Sequence, residues 1–169
     1  MKENLQYALY FMLLIAVQVL VLNQICLFGF GCIFLYTLFI LIYPLSKNNQ
    51  IQFLFISFLL GFIIDLFSNS YGTHTFACTL IAYLRPHITK LYNGADNFEP
   101  LKKSYQKFGG LFIRYAVTMI LIHHFTLFMM EAFSLKLLPI VLLKTLVSSI
   151  LTMIFIFFIQ SLFIKKNAR

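Results

Sequence analysis

The chain has 169 residues, of which 61% are hydrophobic and only 11% charged, and its mean hydropathy is +0.90. Soluble domains carry about 25% charged and about 45–50% apolar residues. Because a soluble fold must cover its surface with polar groups, this composition excludes an ordinary cytosolic enzyme or secreted domain. The net charge of +8 would suggest nucleic acid as a partner in a soluble chain. Here the basic residues stand between apolar runs, which is typical of membrane proteins that bind no nucleic acid.

Six apolar runs are long enough to cross the roughly 30 Å of bilayer hydrocarbon, for which about 20 helical residues suffice. They predict an all-α integral membrane protein, a single polytopic domain over residues 1–169, with helices at 5–22, 25–45, 51–67, 73–92, 108–133 and 137–164. The first two runs are separated only by Asn23 and Gln24. A single helix over both would be about 60 Å long, twice the bilayer, so we predict a break there. Five spans is the alternative, if the third run is re-entrant.

The basic residues predict the orientation. With the amino terminus inside the cell, the residues on the inner side include the long loop 93–107 and eleven basic side chains: Lys2, Lys47, Arg85, Lys90, Lys102, Lys103, Lys107, Arg114, Lys165, Lys166 and Arg169. Only Lys136 and Lys144 fall on the outer side. An excess of basic residues marks the cytoplasmic side, so both termini and the loop 93–107 are predicted to be cytoplasmic.

The first run does not match a signal peptide, because no small-x-small cleavage site follows it. The three cysteines, Cys26, Cys32 and Cys78, are an odd number and form no C-x-x-C pair. They indicate neither a zinc site nor a disulfide framework, and we expect them to be buried as small hydrophobic residues.

Asp65 lies near the outer end of the third span, one helical turn after Gly61. An ionisable group at the centre of a membrane helix costs about 2.5–3.5 kcal/mol, so its place needs a reason. One interpretation is a carboxylate that contacts a partner or handles protons. We favour the other, in which Asp65 caps the next helix or binds N–H groups of the loop, because the polar turn is only a few residues away. Gly61 would let a neighbouring backbone approach.

His74, His123, His124 and Glu131 also fall in the outer halves of their spans. Together with Asp65 they could gather as metal ligands, but no H-x-x-x-H or H-E-x-x-H spacing supports such a site. We favour hydrogen bonds between helices, with His124 and Glu131 on one helical face. Near their span ends, Arg114 and Lys144 are expected to extend to the headgroups. The residues Thr145, Ser149 and Thr152 are spaced for a close helix seam.

Motifs of enzymes are absent from the sequence. There is no P-loop, no G-x-S-x-G, no pair of carboxylates on one helix and no nucleophile with an adjacent base. We therefore predict a protein that is not an enzyme and has no catalytic residue, no cofactor and no metal site.

Residues 61–74, GFIIDLFSNSYGTH, are followed by LIAYLRP at 80–86. These segments resemble the MreD family of the bacterial rod-shape machinery. That family shows a glycine, an aspartate four residues later, a Ser/Gly-rich turn ending in glycine, and a helix similar to Ile-Ala-Tyr-Leu. Residues 19–29, Tyr43-Pro44 and residues 131–134 are also similar to the family, and the ending Arg85-Pro86 is closest to its Bacteroidetes-like branch.

The resemblance implies a scaffold in the bacterial inner (cytoplasmic) membrane that acts in peptidoglycan elongation and cell shape. Such a subunit binds MreC and helps to couple MreB filaments to RodA and a penicillin-binding transpeptidase. The residues that would form its structural or partner-binding motif are Gly61, Asp65, Ser68, Gly72, His74, Arg85, Pro86 and Glu131. On this view, Arg85-Pro86 marks the cytoplasmic exit of the fourth helix.

The family also implies a helical arrangement that resembles the membrane S-component of energy-coupling-factor vitamin transporters. The alternative function is therefore a vitamin-binding membrane subunit of such a transporter. A binding subunit needs a pocket with convergent polar groups. The residues that could supply them are few and lie on four spans: Asn23, Asp65, His74, His123, His124 and Glu131.

Overall fold

A computed structural model describes residues 2–27, 30–93 and 109–167. These parts of the chain are nearly all helical and contain six α-helices: α1 Lys2–Leu20, α2 Thr37–Ile42, α3 Gln50–Ser68, α4 Thr73–Asn93, α5 Gly110–Ala132 and α6 Leu138–Asn167. Two short strands, β1 Cys26–Leu27 and β2 Gly31–Cys32, form an antiparallel hairpin after α1. Most of the predicted loop 93–107, with Lys102, Lys103 and Lys107, lies outside the described residues.

The five long helices begin and end within three residues of five predicted spans. Four of the described helical stretches are long and apolar enough to cross a membrane: Leu5–Gln24, Gln50–Ser68, Gly110–Ala132 and Leu135–Ile159. The helix α4 has sufficient length but is more polar, because it carries Arg85, Lys90 and two histidines. The helix packs against both α3 and α5. His74 and Arg85 are buried there, whereas His87 and Lys90 are exposed.

The prediction of one continuous helix over residues 25–45 is wrong. The hairpin occupies its start, residues 33–36 are not helical, and α2 has only six residues. The five-span alternative is also wrong in its premise, since the third run forms the complete helix α3. The middle of the segment 25–45 is apolar because it is enclosed by protein: every residue from 33 to 41 is less than a tenth exposed.

We call residues 33–43 the crossing segment. Side chains of the surrounding helices form hydrogen bonds with its backbone and with the backbone of the preceding residue, Cys32. From α1, Gln18 Oε1 accepts a hydrogen bond from the Leu35 amide at 2.9 Å. Its Nε2 donates a hydrogen bond to the Ile33 carbonyl at 2.9 Å. On α6, the Ser148 hydroxyl accepts a hydrogen bond from the Cys32 amide, and the Thr152 hydroxyl accepts one from the Phe34 amide, both at 3.1 Å. Non-helical backbone is tolerated inside an apolar bundle when other groups satisfy it in this way.

Contacts at the two ends of the crossing segment show in which direction it runs through the bundle. At the turn end, named for the α3–α4 turn, Asn23 after α1 donates to Ser68 Oγ at 2.7 Å, so α1 and α3 end at the same level. At the opposite end, the Tyr43 ring lies 5.6 Å from that of Tyr7 in α1 and 5.2 Å from that of Phe53 in α3. The crossing segment therefore returns the chain from the turn end to the level where α1 and α3 begin.

Cys32 and Cys78 differ in oxidation state. Cys32 is disulfide-bonded and pairs in register with Cys26 across the hairpin, whereas Cys78 is a buried free thiol. The expectation of a small buried hydrophobic residue is confirmed for Cys78. It is wrong for Cys32, because the break in the second predicted span places that residue in a hairpin rather than inside a helix.

Candidate functional site

The carboxylate of Asp65 holds the start of α4. Its Oδ1 accepts hydrogen bonds from Ser70 Oγ at 2.6 Å and from the His74 amide at 3.0 Å. Its Oδ2 accepts the amide of Thr75 at 2.7 Å and the hydroxyl of the same residue at 2.5 Å. Amides in the first turn of a helix have no partner inside that helix, so Asp65 caps α4 from the end of α3. The prediction of a capping role is confirmed, and both carboxylate oxygens are occupied.

Gly61 lies where the backbones of α3 and α4 touch. A Cβ atom at this position would stand 2.5 Å from the Cα atom of Thr75 and 2.6 Å from the carbonyl oxygen of His74. These partners are backbone atoms, so the helices would have to move apart to admit any side chain. The prediction that Gly61 permits a close backbone approach is confirmed.

The α3–α4 turn uses the left-handed backbone region at three positions, Asn69, Tyr71 and Gly72, with φ of 54°, 52° and 89°. Glycine adopts this region without the steric cost of a Cβ atom, which explains Gly72. Ser68, just before the turn, accepts the hydrogen bond from Asn23. The Tyr71 side chain projects from the tip and is 93% exposed.

A cluster of buried side chains joins the crossing segment to α4, α5 and α6. The Tyr36 hydroxyl lies 2.7 Å from His74 Nδ1 and 3.1 Å from His123 Nε2. The adjacent His124 has Nδ1 at 2.8 Å from the carbonyl oxygen of Ile120 in its own helix, and Nε2 at 3.1 Å from Thr152 Oγ1. We call Tyr36, His74, His123, His124 and Thr152 the Tyr36 cluster; each is at most 4% exposed.

One arrangement of protons satisfies the cluster. The Ile120 carbonyl can only accept, so His124 carries its proton on Nδ1 and its Nε2 accepts from the Thr152 hydroxyl. Since His124 Nδ1–H also faces His123 Nδ1 at 3.4 Å, His123 carries its proton on Nε2 and donates it to Tyr36. The Tyr36 hydroxyl then donates to His74 Nδ1, which leaves His74 with its proton on Nε2.

This geometry favours hydrogen bonds between helices over a metal site. His74 and His123 both direct a ring nitrogen at Tyr36, and the Phe34 ring packs against all three histidines at 5.1–6.1 Å between centroids. Within the described ranges, no group of three or more His, Cys, Asp or Glu side chains is placed to hold a metal ion. Asp65 caps α4 instead, so Asp65 and the histidines do not form one set of metal ligands.

Glu131 is separated from His124 although the two share a helical face. His124 is fully buried, whereas Glu131 is exposed at the wall of a cavity at the turn end. The cavity has a volume of about 360 Å³ and is also lined by Asn23, His74 and Lys144. A second cavity of about 280 Å³ adjoins the same wall, with Phe128, Glu131 and Lys144 in common. The structure thus brings together some of the scattered polar residues that a binding site would need.

Arg85 and Pro86 lie inside α4, which continues to Asn93, close to the end of the predicted span at residue 92. Arg85 is 4% exposed, donates from Nη2 to the Tyr43 carbonyl at 2.7 Å, and lies over the Phe53 ring at 5.0 Å. Its role is to join α4 to the end of the crossing segment. Pro86 removes one N–H from the helix, which the surrounding helix tolerates.

Sequence reasoning missed Gln18, Tyr36 and Ser148. Gln18 and Tyr36 stand in otherwise apolar runs, and a lone polar residue in such a run signals a buried partner. Thr152 was assigned to a helix seam, but its hydroxyl binds the crossing segment and His124. Thr145 bonds only to its own helix, at the Val141 carbonyl, as a residue of a close seam does.

Comparison of the chain with protein-family models, curated proteins and solved structures gives no significant match.

Proposed function

We propose that the chain is a non-enzymatic scaffold subunit of the bacterial cell-wall elongation complex, held in the cytoplasmic membrane. It binds an MreC-type partner and is linked through it to MreB, RodA and a penicillin-binding transpeptidase. The proposal begins with the resemblance of residues 61–74 and 80–86 to the MreD family. Four apolar helices of spanning length support the membrane location.

The observation that carries the proposal is a rigid turn with exposed apolar side chains. Asp65 and Gly61 hold the α3–α4 turn through contacts within the chain, so the turn needs no partner to form. At this end of the bundle Tyr71, Phe133 and Leu135 are 93%, 85% and 79% exposed. Large apolar side chains exposed on a preformed surface are typical of a protein contact.

Charge and cysteine chemistry both support an orientation with the turn end outside the cell. Eleven of the thirteen basic residues fall on the other predicted side, and basic residues favour the cytoplasm. The disulfide-bonded Cys32 belongs to the turn end, and disulfides persist in oxidising compartments outside the cytoplasm. The scaffold would then meet its partner on the outer face of the membrane.

Co-purification of the MreC-type partner from the host tests this proposal. We expect Tyr71→Arg to reduce the recovered partner about 10-fold, because the loss of an aromatic anchor from an interface costs about 1–2 kcal/mol or more. Asn48→Arg, at an exposed site on the opposite end, is the matched control and should leave recovery unchanged. Asp65→Lys is less informative, since it also removes the α4 cap. Equal recovery with Tyr71→Arg and the control would contradict the proposed surface.

Depletion of the protein provides a second test. A subunit of the elongation complex is needed to keep rod-shaped cells elongated, so we expect depleted cells to become round. Microscopy of a depletion strain measures this, and complementation with the Asn48→Arg variant should restore the shape. Cells that keep their shape after depletion would contradict the role in elongation.

The turn-end cavity supports a second candidate function, a small-molecule-binding subunit of an energy-coupling-factor-type transporter. Its volume of about 360 Å³ lies in the range of ligand pockets, and polar residues of several elements line it. A thermal-shift screen of the purified protein against vitamins tests this function. A rise of several degrees with one vitamin would favour the transporter over the scaffold, and no shift with any would count against it.

A further inference from the structure

The shared wall of the two turn-end cavities carries one negative and one positive side chain. Glu131 near the end of α5 and Lys144 in α6 line both cavities. Among the residues that the structure describes, neither forms an ion pair within 4 Å, and Lys144 Nζ lies 5.7 Å from the centroid of the Phe128 ring. Two opposite charges therefore face the same space without neutralising each other at contact distance.

His74 adds a third polar group to this space. It lines the larger cavity, and its Nδ1 is engaged by Tyr36. In the proton arrangement of the Tyr36 cluster, His74 Nε2 carries a hydrogen, and this atom has no hydrogen-bond partner in the described part of the chain. The imidazole thus offers one N–H donor to a molecule in the cavity.

Apart from Gln24, the other polar side chains of the wall are used within the protein. Gln18 binds Asn23, Ile33 and Leu35, Asn23 binds Ser68, and the Ser70 hydroxyl donates to Asp65. A ligand would have to break these bonds to use the groups that make them. The carboxylate of Glu131, the ammonium of Lys144 and the His74 N–H remain for recognition, together with the neutral amide of Gln24.

We propose that the larger cavity binds a small zwitterion, a molecule that carries a primary ammonium and an oxyanion. The ammonium pairs with Glu131, and the oxyanion accepts from Lys144 and His74. This chemistry has two sources, a free amino acid or short peptide and the phosphoethanolamine headgroup of a lipid. The site uses the cavity of the second candidate function but requires neither transport nor the scaffold role.

Ligands that differ by one charge test the site. The full chain is reconstituted in nanodiscs of phosphatidylcholine and phosphatidylglycerol, and binding is measured by calorimetry. The probes are glycylglycine, its N-acetyl derivative without the ammonium, and glycylglycinamide without the carboxylate. For a free zwitterion we expect glycylglycine to bind and each derivative to lose about 10-fold in affinity, the effect of about 1.4 kcal/mol.

A second experiment, in which the lipid composition is varied, distinguishes a free zwitterion from a lipid headgroup. Replacing phosphatidylcholine by phosphatidylethanolamine should raise the melting temperature if the headgroup is the ligand, and soluble glycerophosphoethanolamine should then bind in the absence of that lipid. Binding of glycylglycine without any effect of the lipid would assign the free zwitterion. If neither class of ligand binds, the proposal is wrong.

Variants connect the binding to the two charges. Glu131→Gln and Lys144→Gln should each weaken binding of the effective zwitterion about 10-fold, whereas Lys136→Gln, an exposed site at the same end, should have no effect. The double exchange Glu131→Lys with Lys144→Glu should recover part of the affinity, because both charges are again present. Zwitterion binding that is insensitive to Glu131→Gln would overturn the assignment.

The outcomes separate this proposal from the proposed functions. A vitamin that binds although no zwitterion does would overturn the ligand class and leave the transporter function standing. Zwitterion binding with unchanged partner recovery in Tyr71→Arg would support the site while contradicting the proposed docking surface.

Discussion

The α3–α4 turn and the crossing segment both contain non-helical backbone, and both must satisfy the backbone groups that a continuous helix would have paired. At the turn, Asp65 accepts from residues five to ten positions away. Along the crossing segment and the preceding Cys32, the side-chain partners Gln18, Ser148 and Thr152 lie 15 to 118 positions away.

This difference determines how each region depends on the rest of the molecule. The hydrogen bonds of Asp65 that close the turn come from its own neighbours in sequence, so they can form between α3 and α4 alone. The crossing segment has partners on α1 and α6, so it acquires its shape only when those helices surround it. We therefore expect local substitutions to act on the turn and substitutions on distant helices to act on the crossing segment.

The largest effect is expected at the contact between α3 and α4. Gly61→Ala should lower the free energy of unfolding by about 3 kcal/mol, because its Cβ atom would overlap backbone atoms of α4. Unfolding by SDS in mixed micelles measures this. Gly110→Ala is the control, with nothing within 4 Å of its new Cβ atom, and should change stability by at most about 0.5 kcal/mol. Equal effects of the two substitutions would contradict the close approach.

Removing the cap of α4 should cost nearly as much. Asp65→Ala leaves two amides and two hydroxyls of the turn without their acceptor, and we expect a loss of about 2–3 kcal/mol by the same measurement. Asp65→Asn retains one oxygen and should lose about half as much. A loss below about 0.5 kcal/mol for Asp65→Ala would show that the turn does not depend on this carboxylate.

A substitution on α1 should disturb the crossing segment. Gln18→Leu removes the acceptor of the Leu35 amide and the donor to the Ile33 carbonyl, so we expect a loss of about 2 kcal/mol. Hydrogen exchange at Leu35 should rise at the same time. Gln52→Leu, on an exposed face of α3, is the matched control and should be nearly neutral. If both glutamines are equally tolerated, the crossing segment does not rely on α1.

The smallest effect is expected from α6. Thr152→Val removes the acceptor of the Phe34 amide and should cost about 1 kcal/mol, whereas Thr145→Val, which loses a bond only within its own helix, should cost less. Combined with Gln18→Leu, Thr152→Val should show a coupling of about 0.5–1 kcal/mol, because the two side chains hold adjacent amides. Strict additivity would indicate that α1 and α6 act on the segment independently.

Sequence patterns succeeded where the physics is local. Apolar length located the five long helices, and the spacing of Gly61 and Asp65 before a polar turn predicted both the close approach and the cap. In these cases the interacting residues lie within 15 positions of each other, so the pattern itself contains both partners.

Sequence patterns failed to predict the structure where an apolar run is compatible with two conformations. Residues 25–45 have the length and hydropathy of a transmembrane helix, yet they form a hairpin, an extended stretch and the short helix α2. Hydropathy measures only whether a segment leaves water, and enclosure by other helices satisfies it as well as lipid does. Gln18 and Tyr36 were the available signals, since polar side chains in apolar runs need buried partners.

The sequence by itself determined a nearly all-helical protein, helices long and apolar enough to span a membrane, and a capped α3–α4 turn. These properties depend on composition, periodicity and short spacings. Only the tertiary structure decided the path of the crossing segment, the Tyr36 cluster and the cavity that Glu131 shares with Lys144. Each of them requires side chains from distant helices at hydrogen-bond or cavity distance, and separation along the chain carries no information about those distances.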